Sequence, residues 1–485
     1  MSDWNHNPTN AGGLPDFSNI TSEYTHIING KPVTSSTFLD VMNPATQKII
    51  AKVPIATQAQ VDETVAAAQA AFEGWANTPV DERAMILNKI ADAIIQNADE
   101  YQKLITLEQG RPTSFKQFEI LGAVNRFRET AKLKTPTIVM EDSETHKVIQ
   151  RYVPLGVCAC IVPWQVRCIA GLFQTKELIV TRYRNGPLML CVAALAPALQ
   201  AGNTAIVKPS PFTPLTTLRF IRDIQHLLPP GVVSVLSGND DLGPMITSHP
   251  GISKINFTGS SFTGQKVMQS ASVGLKRVTL ELGGNDPMII LPDVDIKSLV
   301  PLVEYAKTIK VGDPTDPATK VGPVQNINQY KRALSYYDEA HTKGFKFALG
   351  GNVDHNPTDG LYLPISIIDN PPDDSNLVRE EQFAPIVPLL KWAEEKDVII
   401  RANDTVLGLA ASVWGKDMEA VQRIALQIQA GTVSMNEFIP FTPGVDFTGH
   451  KQSGIGAKGG ITGLKEYTNL QTITIRKVPA ASPFS

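Results

Sequence analysis

Short β-branched runs alternate with helix-like stretches from residue 157 onward, and this pattern constrains the fold more than any other feature. The runs VCACIVP (157–163), TAIV (204–207), VVSVL (232–236) and KINF (254–257) are separated by helical stretches near 187–200, 214–227 and 242–248. Strands alternating with helices close as a parallel sheet covered by helices on both faces. Ligands in such sheets sit beyond the carboxyl ends of the strands. A chain of 485 residues is too long for one ordinary core, so two or three domains follow. Residues 300–430 repeat the α/β character and form a second domain. The class is α/β: a doubly wound parallel sheet, a second α/β domain and a small β element.

The first third is helical. Val61, Val65, Ala68, Phe72 and Trp75 make one apolar stripe on a helix starting near Thr57, and Leu87, Ile90, Ala91 and Ile94 make another. Both stripes read as core. The Asn29-Gly30 step in THIINGKPV is a tight-hairpin signal. The tail EYTNLQTITIRKV (466–478) alternates like a strand and is free to extend another sheet, including a neighbour's. Residues 1–22 are polar, with neither a basic start nor an apolar stretch, and read as a loose arm. The formal net charge of −3 gives nucleic acid and anionic membrane no purchase. No apolar run reaches membrane-spanning length. The four cysteines, Cys158, Cys160, Cys168 and Cys191, are a poor disulfide framework and point to a reducing compartment, the cytoplasm. Cys158 and Cys160 fall on one face of a strand, as packing rather than as a metal site, and no metal is expected.

Six strings carry a family signal: IVPW (161–164), AGNTAIVKPS (201–210), KINFTGS (254–260), VTLELGG (278–284), EEQFAPIVP (380–388) and KQSGIG (451–456). In this order they resemble the aldehyde dehydrogenase family, from about residue 25 to the end. FTGSSFTG places Gly259 and Gly264 after a strand and at a helix start, where backbone N–H groups and the helix dipole meet a pyrophosphate. The resemblance implies that Val162, Pro163, Trp164, Lys208, Ser210, Gly259, Ser260 and Gly264 bind the dinucleotide. It also implies that Glu381 and Phe383 face the nicotinamide ribose and ring. Ala384 stands where a glycine is common. Pro211 stands where many NAD-preferring relatives carry a carboxylate, which leaves both NAD and NADP acceptable. Glu281 would be the general base and Asn185 an oxyanion donor, in the oxidation of a small-molecule aldehyde to an acid. The resemblance further implies a homo-oligomer. The domains would be 23–134 with 152–275 for the dinucleotide, 276–450 for catalysis, and 135–151 with 451–485 for oligomerisation.

Two departures matter as much as the matches. Removing 165–184 restores a Pro-Trp-Asn-Gly-Pro-Leu run, so that segment reads as an insertion across the mouth of the site. Near 299–303 the start of one family helix joins a segment from well beyond it. About 40 residues are missing there, including the loop that carries the thiol nucleophile. No cysteine follows Cys191. One economical source of both departures is a splicing error, an intron retained in frame and an exon lost, which transcript sequencing reads directly. The chain is accordingly expected to be catalytically inactive. The alternative function is that of a non-catalytic nucleotide-binding or subunit-partner protein on the same fold.

Overall fold

The computed structural model describes residues 23–163, 186–294, 301–437 and 444–478, together with Phe17. The expected N-terminal arm, the inserted segment 165–184 and part of the joint near 299–303 therefore lie outside the described residues. The first lobe is an eight-stranded sheet. Its spatial order is Lys31–Val33, His26–Ile28, Val233–Val235, Thr204–Lys208, Val157–Ile161, Lys254–Thr258, Arg277–Glu281 and Gly454–Ile455. The five strands from Val233 to Glu281 are mutually parallel, and the outer ones pair antiparallel. The chain winds outward from Val157–Ile161 through Thr204–Lys208 to Val233–Val235. It then crosses back to lay Lys254–Thr258 on the other flank of the first strand. That reversal opens a crevice at the carboxyl ends of Val157–Ile161 and Lys254–Thr258, the position at which such sheets take ligands.

Residues alternate between two cores. Cys158, Cys160, Ala205, Val207, Val233 and Val235 face one, while Val157, Ala159, Ile161, Ile206, Ile255, Phe257 and Leu280 face the other. Every strand residue from Val157 to Ile161 is buried, as a sheet covered on both faces requires. The two cysteines share a face and are buried and free, in agreement with a packing role. The helix Gln58–Asn77 begins at Thr57, whose side chain and Gln60 form a reciprocal capping box. It buries Val61, Val65, Ala68 and Trp75, with Phe72 only partly covered. Asn29 (φ 51°) and Gly30 (φ 75°) turn the His26–Val33 hairpin, a left-handed pair that these residues tolerate best.

Glu108 shows how far tertiary structure can reach to finish a helix. It ends a different helix, Ala98–Gln109, yet its carboxylate accepts from Leu215 N (2.6 Å), Thr216 N (3.0 Å) and Thr216 Oγ1 (2.5 Å), capping the helix Leu215–Asp223. Burial pushes its carboxyl up to about 7 despite those donors. The folded value exceeds the ordinary 4.5, so protonation favours the fold. Its contribution is complete below about 4.5 and is lost as pH rises through about 7, on the order of 3 kcal/mol. His26, buried and lowered to about 4, opposes this trend as it must charge in acid. The comparison is therefore variant against parent. Melting curves of the parent and Glu108→Gln, a neutral stand-in for the protonated acid, should lie nearest each other at low pH, with the parent losing ground as pH rises through about 7. A constant difference across that window would refute the assignment.

The second lobe holds two three-stranded sheets, each with its own core. One is Met288–Ile290, Ala410–Trp414 and Thr432–Met435; the other is Lys346–Leu349, Ser366–Asp369 and Ile386–Leu389. The strand Arg277–Glu281, grouped by sequence with the second domain, is hydrogen-bonded into the first lobe's sheet through Lys254–Thr258. The C-terminal strand Thr468–Arg476 finds its partner in its own chain. It pairs antiparallel with His146–Pro154 along its whole length, and Ile138–Asp142 pairs on the far side. No helix among the described residues is long and apolar enough to cross a membrane.

Candidate active site

The carboxyl ends of four parallel strands bring the expected residues together. Val162 and Pro163 follow Val157–Ile161, with Val162 N donating to Lys208 O at 3.0 Å. Lys208 ends its own strand and is buried; its Nζ donates to Pro209 O at 3.3 Å. Burial lowers its ammonium to about 8, partly offset by Asp240. An ammonium so poorly paired is ready to donate to hydroxyl or phosphate oxygens. Ser210, two residues on, receives Phe212 N at 3.2 Å and shapes the turn beneath.

Gly259 and Ser260 lie between the strand Lys254–Thr258 and the helix Ser261–Ser272. A Cβ on Gly259 would run into the Phe257 ring, so only glycine leaves this backbone open. Ser260 caps the helix by accepting from Thr263 N at 3.2 Å, and a helix N-terminus at a strand's carboxyl end is a ready cradle for an anion. Gly264 has another reason to be glycine: a Cβ there would strike Leu282, so it serves close packing of helix on strand. This cradle and the buried cation fit a dinucleotide.

Glu281 ends the strand Arg277–Glu281. Its Oε2 lies 2.6 Å from Lys458 Nζ, with both side chains mostly buried, and Lys458 also donates to Thr258 Oγ1. The expected mobile base is thus ion-paired. Lys458 sits just past KQSGIG, in a hairpin with Phe447–Thr448, and sequence reasoning did not single it out. Arg126, on the helix Lys116–Ala131, also feels the Glu281 charge. Glu381 accepts from Gly284 N at 3.3 Å, which ties the strand end to the second lobe. Phe383 takes the left-handed conformation (φ 52°) beside a cavity shared with Gly110, Arg111 and Pro323.

Trp164 and Asn185 lie outside the described residues, as does Cys168. The other three cysteines are wrapped in core. Burial pushes the Cys160 thiol up to about 12, and Cys158 and Cys191 upward as well. Nucleophilic thiols have the opposite environment, exposed and electropositive. Among the described residues no three His, Cys, Asp or Glu side chains gather as a metal set.

Comparison with known proteins adds an independent line. The chain matches the model of the aldehyde dehydrogenase family over residues 32–175, 183–303 and 299–473. The match lapses inside the inserted segment and restarts at 299 after running to 303, the two places where the sequence departs from the six strings. An aldehyde dehydrogenase of Fusarium sp is 33% identical over 482 residues, with 94% of this chain and 99% of the relative covered. A betaine aldehyde dehydrogenase of Rhizobium etli is 30% identical, with 95% and 99% covered. The crystal structure of a betaine aldehyde dehydrogenase from Staphylococcus aureus in complex with NAD+ superposes with a TM-score of 0.86 at 27% identity, covering 96% of this chain and 97% of that one. The fold is the one these proteins share.

Proposed function

The chain belongs to the aldehyde dehydrogenase family, and from that premise we propose that its site descends from one oxidising a small aldehyde to a carboxylic acid with NAD or NADP, a reaction this polypeptide does not complete. One observation carries the second half: no cysteine follows Cys191, and the described cysteines are buried with raised thiols. A carbonyl carbon surrenders hydride only after a nucleophile has made it tetrahedral, and that step belongs to a thiolate in this chemistry.

The nicotinamide, when bound, supplies the hydride acceptor. Lys208 and Ser210 would hold the adenosine ribose, and Val162, Pro163, Trp164, Gly259, Ser260 and Gly264 the body of the dinucleotide. Glu381 and Phe383 would meet the nicotinamide end. Glu281 would take a proton from the attacking water, and the Asn185 amide would donate to the oxyanion. Three free thiols fit a cytoplasmic setting. Val139, Met140, Leu470 and Ile475 are exposed on the sheet made with the C-terminal strand. They favour self-association, and with it a second reading as a non-catalytic partner of an intact relative.

Titration calorimetry tests the ligand half. NAD and NADP should both saturate, with affinities within about tenfold of each other because Pro211 repels neither. Lys208→Ala should weaken both, and NADP more, since the 2′-phosphate loses its cation. Absence of saturable binding by either dinucleotide would remove this half of the reading.

A further inference from the structure

Arg126, beside the strand end that carries Glu281, is a cationic side chain whose charge is left over. It has no hydrogen-bond or ion-pair partner among the described residues, and Glu281 is the one charge acting on it. Glu281 is already engaged by Lys458 at 2.6 Å. Arg126 lies against the backbone next to Lys458: a Cβ on Gly459, the following residue, would lie 2.8 Å from Arg126 Nη1. Two positive charges therefore share one carboxylate. The two most buried arginines among the described residues do have partners within the fold. Arg111 pairs with Glu119, and Arg83 donates to Gln200 O at 3.1 Å and to Thr78 O.

A guanidinium deprived of water and of a partner is costly, and it presents five N–H donors in a planar fork matched to a carboxylate. We propose that the aldehyde side of the site is built for substrates that carry a carboxylate, short-chain oxo acids, whose acid group Arg126 binds with Lys458 alongside. This rests on the dehydrogenase reading above. A neutral aldehyde would leave the guanidinium unpaired. A carboxylate makes two parallel charge-assisted hydrogen bonds to it and balances the surplus charge. Gly459 contributes by omission, as its missing side chain leaves the fork uncovered.

The test uses the soluble full-length chain, with succinate as probe, its uncharged counterpart succinamide, and inorganic phosphate. Succinate should bind saturably and at least about tenfold tighter than either of the others. Arg126→Met should cut succinate affinity at least about tenfold, and Arg126→Gln, closer in shape, should do the same if the methionine variant folds poorly. Equal binding of succinamide, tighter binding of phosphate, or unchanged succinate affinity in both variants would overturn the assignment. NAD titration of the same preparations reports separately on the dehydrogenase reading, so that failure of one is not mistaken for failure of the other.

Discussion

Mixed with NAD or NADP and a panel of short, long and aromatic aldehydes, the purified chain is expected to form no reduced nicotinamide above the protein-free rate. Where covalent catalysis has been dismantled elsewhere, loss of the nucleophile alone costs on the order of 10⁶ in turnover, and no side chain among the described residues at these strand ends replaces it. Glu281 is a carboxylate locked to Lys458, able to move a proton but not to form the adduct from which hydride departs. Cys160 is buried within the strand Val157–Ile161, and burial holds its thiol neutral. Removing 165–184 alone should leave the rate at background, because that change supplies no thiol. Restoring the segment missing at the 299–303 joint should bring turnover back, measurable as steady growth of reduced-nicotinamide absorbance. Steady turnover by the chain with its present sequence would refute the proposal, and turnover that also survived Glu281→Gln would remove Glu281 from the chemistry.

Glu119→Ala should be among the most damaging single substitutions in the molecule. Glu119 is fully buried, pairs with the equally buried Arg111 and accepts from Met189 N at 3.0 Å, steadying the first turn of the helix Pro187–Gln200. Gly186 is glycine because its missing side chain makes room for this carboxylate. Taking the carboxylate away strands a guanidinium in the core, a loss of about 3–5 kcal/mol, enough to exhaust much of a typical domain's margin. Arg111→Met combined with Glu119→Leu should recover part of it, since removing both charges also removes their desolvation cost. Chemical denaturation of the parent, the single and the double variant gives the three values needed. A loss under about 1 kcal/mol for Glu119→Ala would show that water reaches the pair.

What could be read from the sequence was local. Asn29-Gly30, the Thr57 cap, the stripe through Val61 and Val65, and the alternation that set Cys158 with Cys160 all involve neighbours a few positions apart, where periodicity and turn chemistry act. The glycine and lysine at the strand ends were legible for the same reason, as each closes a run that already reads as a strand. The partners that define the site's charge were not. Lys458 meets Glu281, and Arg126 approaches both, across separations that no local pattern encodes. Glu108 likewise caps a helix more than a hundred positions away. Gly264 was legible as a glycine but not in its role, because Leu282, which it accommodates, arrives from a different strand.

Tyr467 carries a consequence for how the molecule is made. It is buried between the sheet and a helix of the first lobe: its hydroxyl accepts from Asn256 Nδ2 at 2.8 Å and donates to Ala194 O at 3.0 Å, and its carbonyl receives Asn203 Nδ2 at 2.9 Å. The lobe that is translated first is thus closed by a residue translated much later, together with the strand that follows it. A ribosome-bound chain cannot finish its nucleotide-binding half while Tyr467 is still in the exit tunnel, and until then Asn203 and Asn256 each lack one of their hydrogen bonds. Truncations that remove Tyr467 should therefore behave as lesions of the first lobe, and slow synthesis of the second lobe should lengthen the nascent chain's dependence on chaperones.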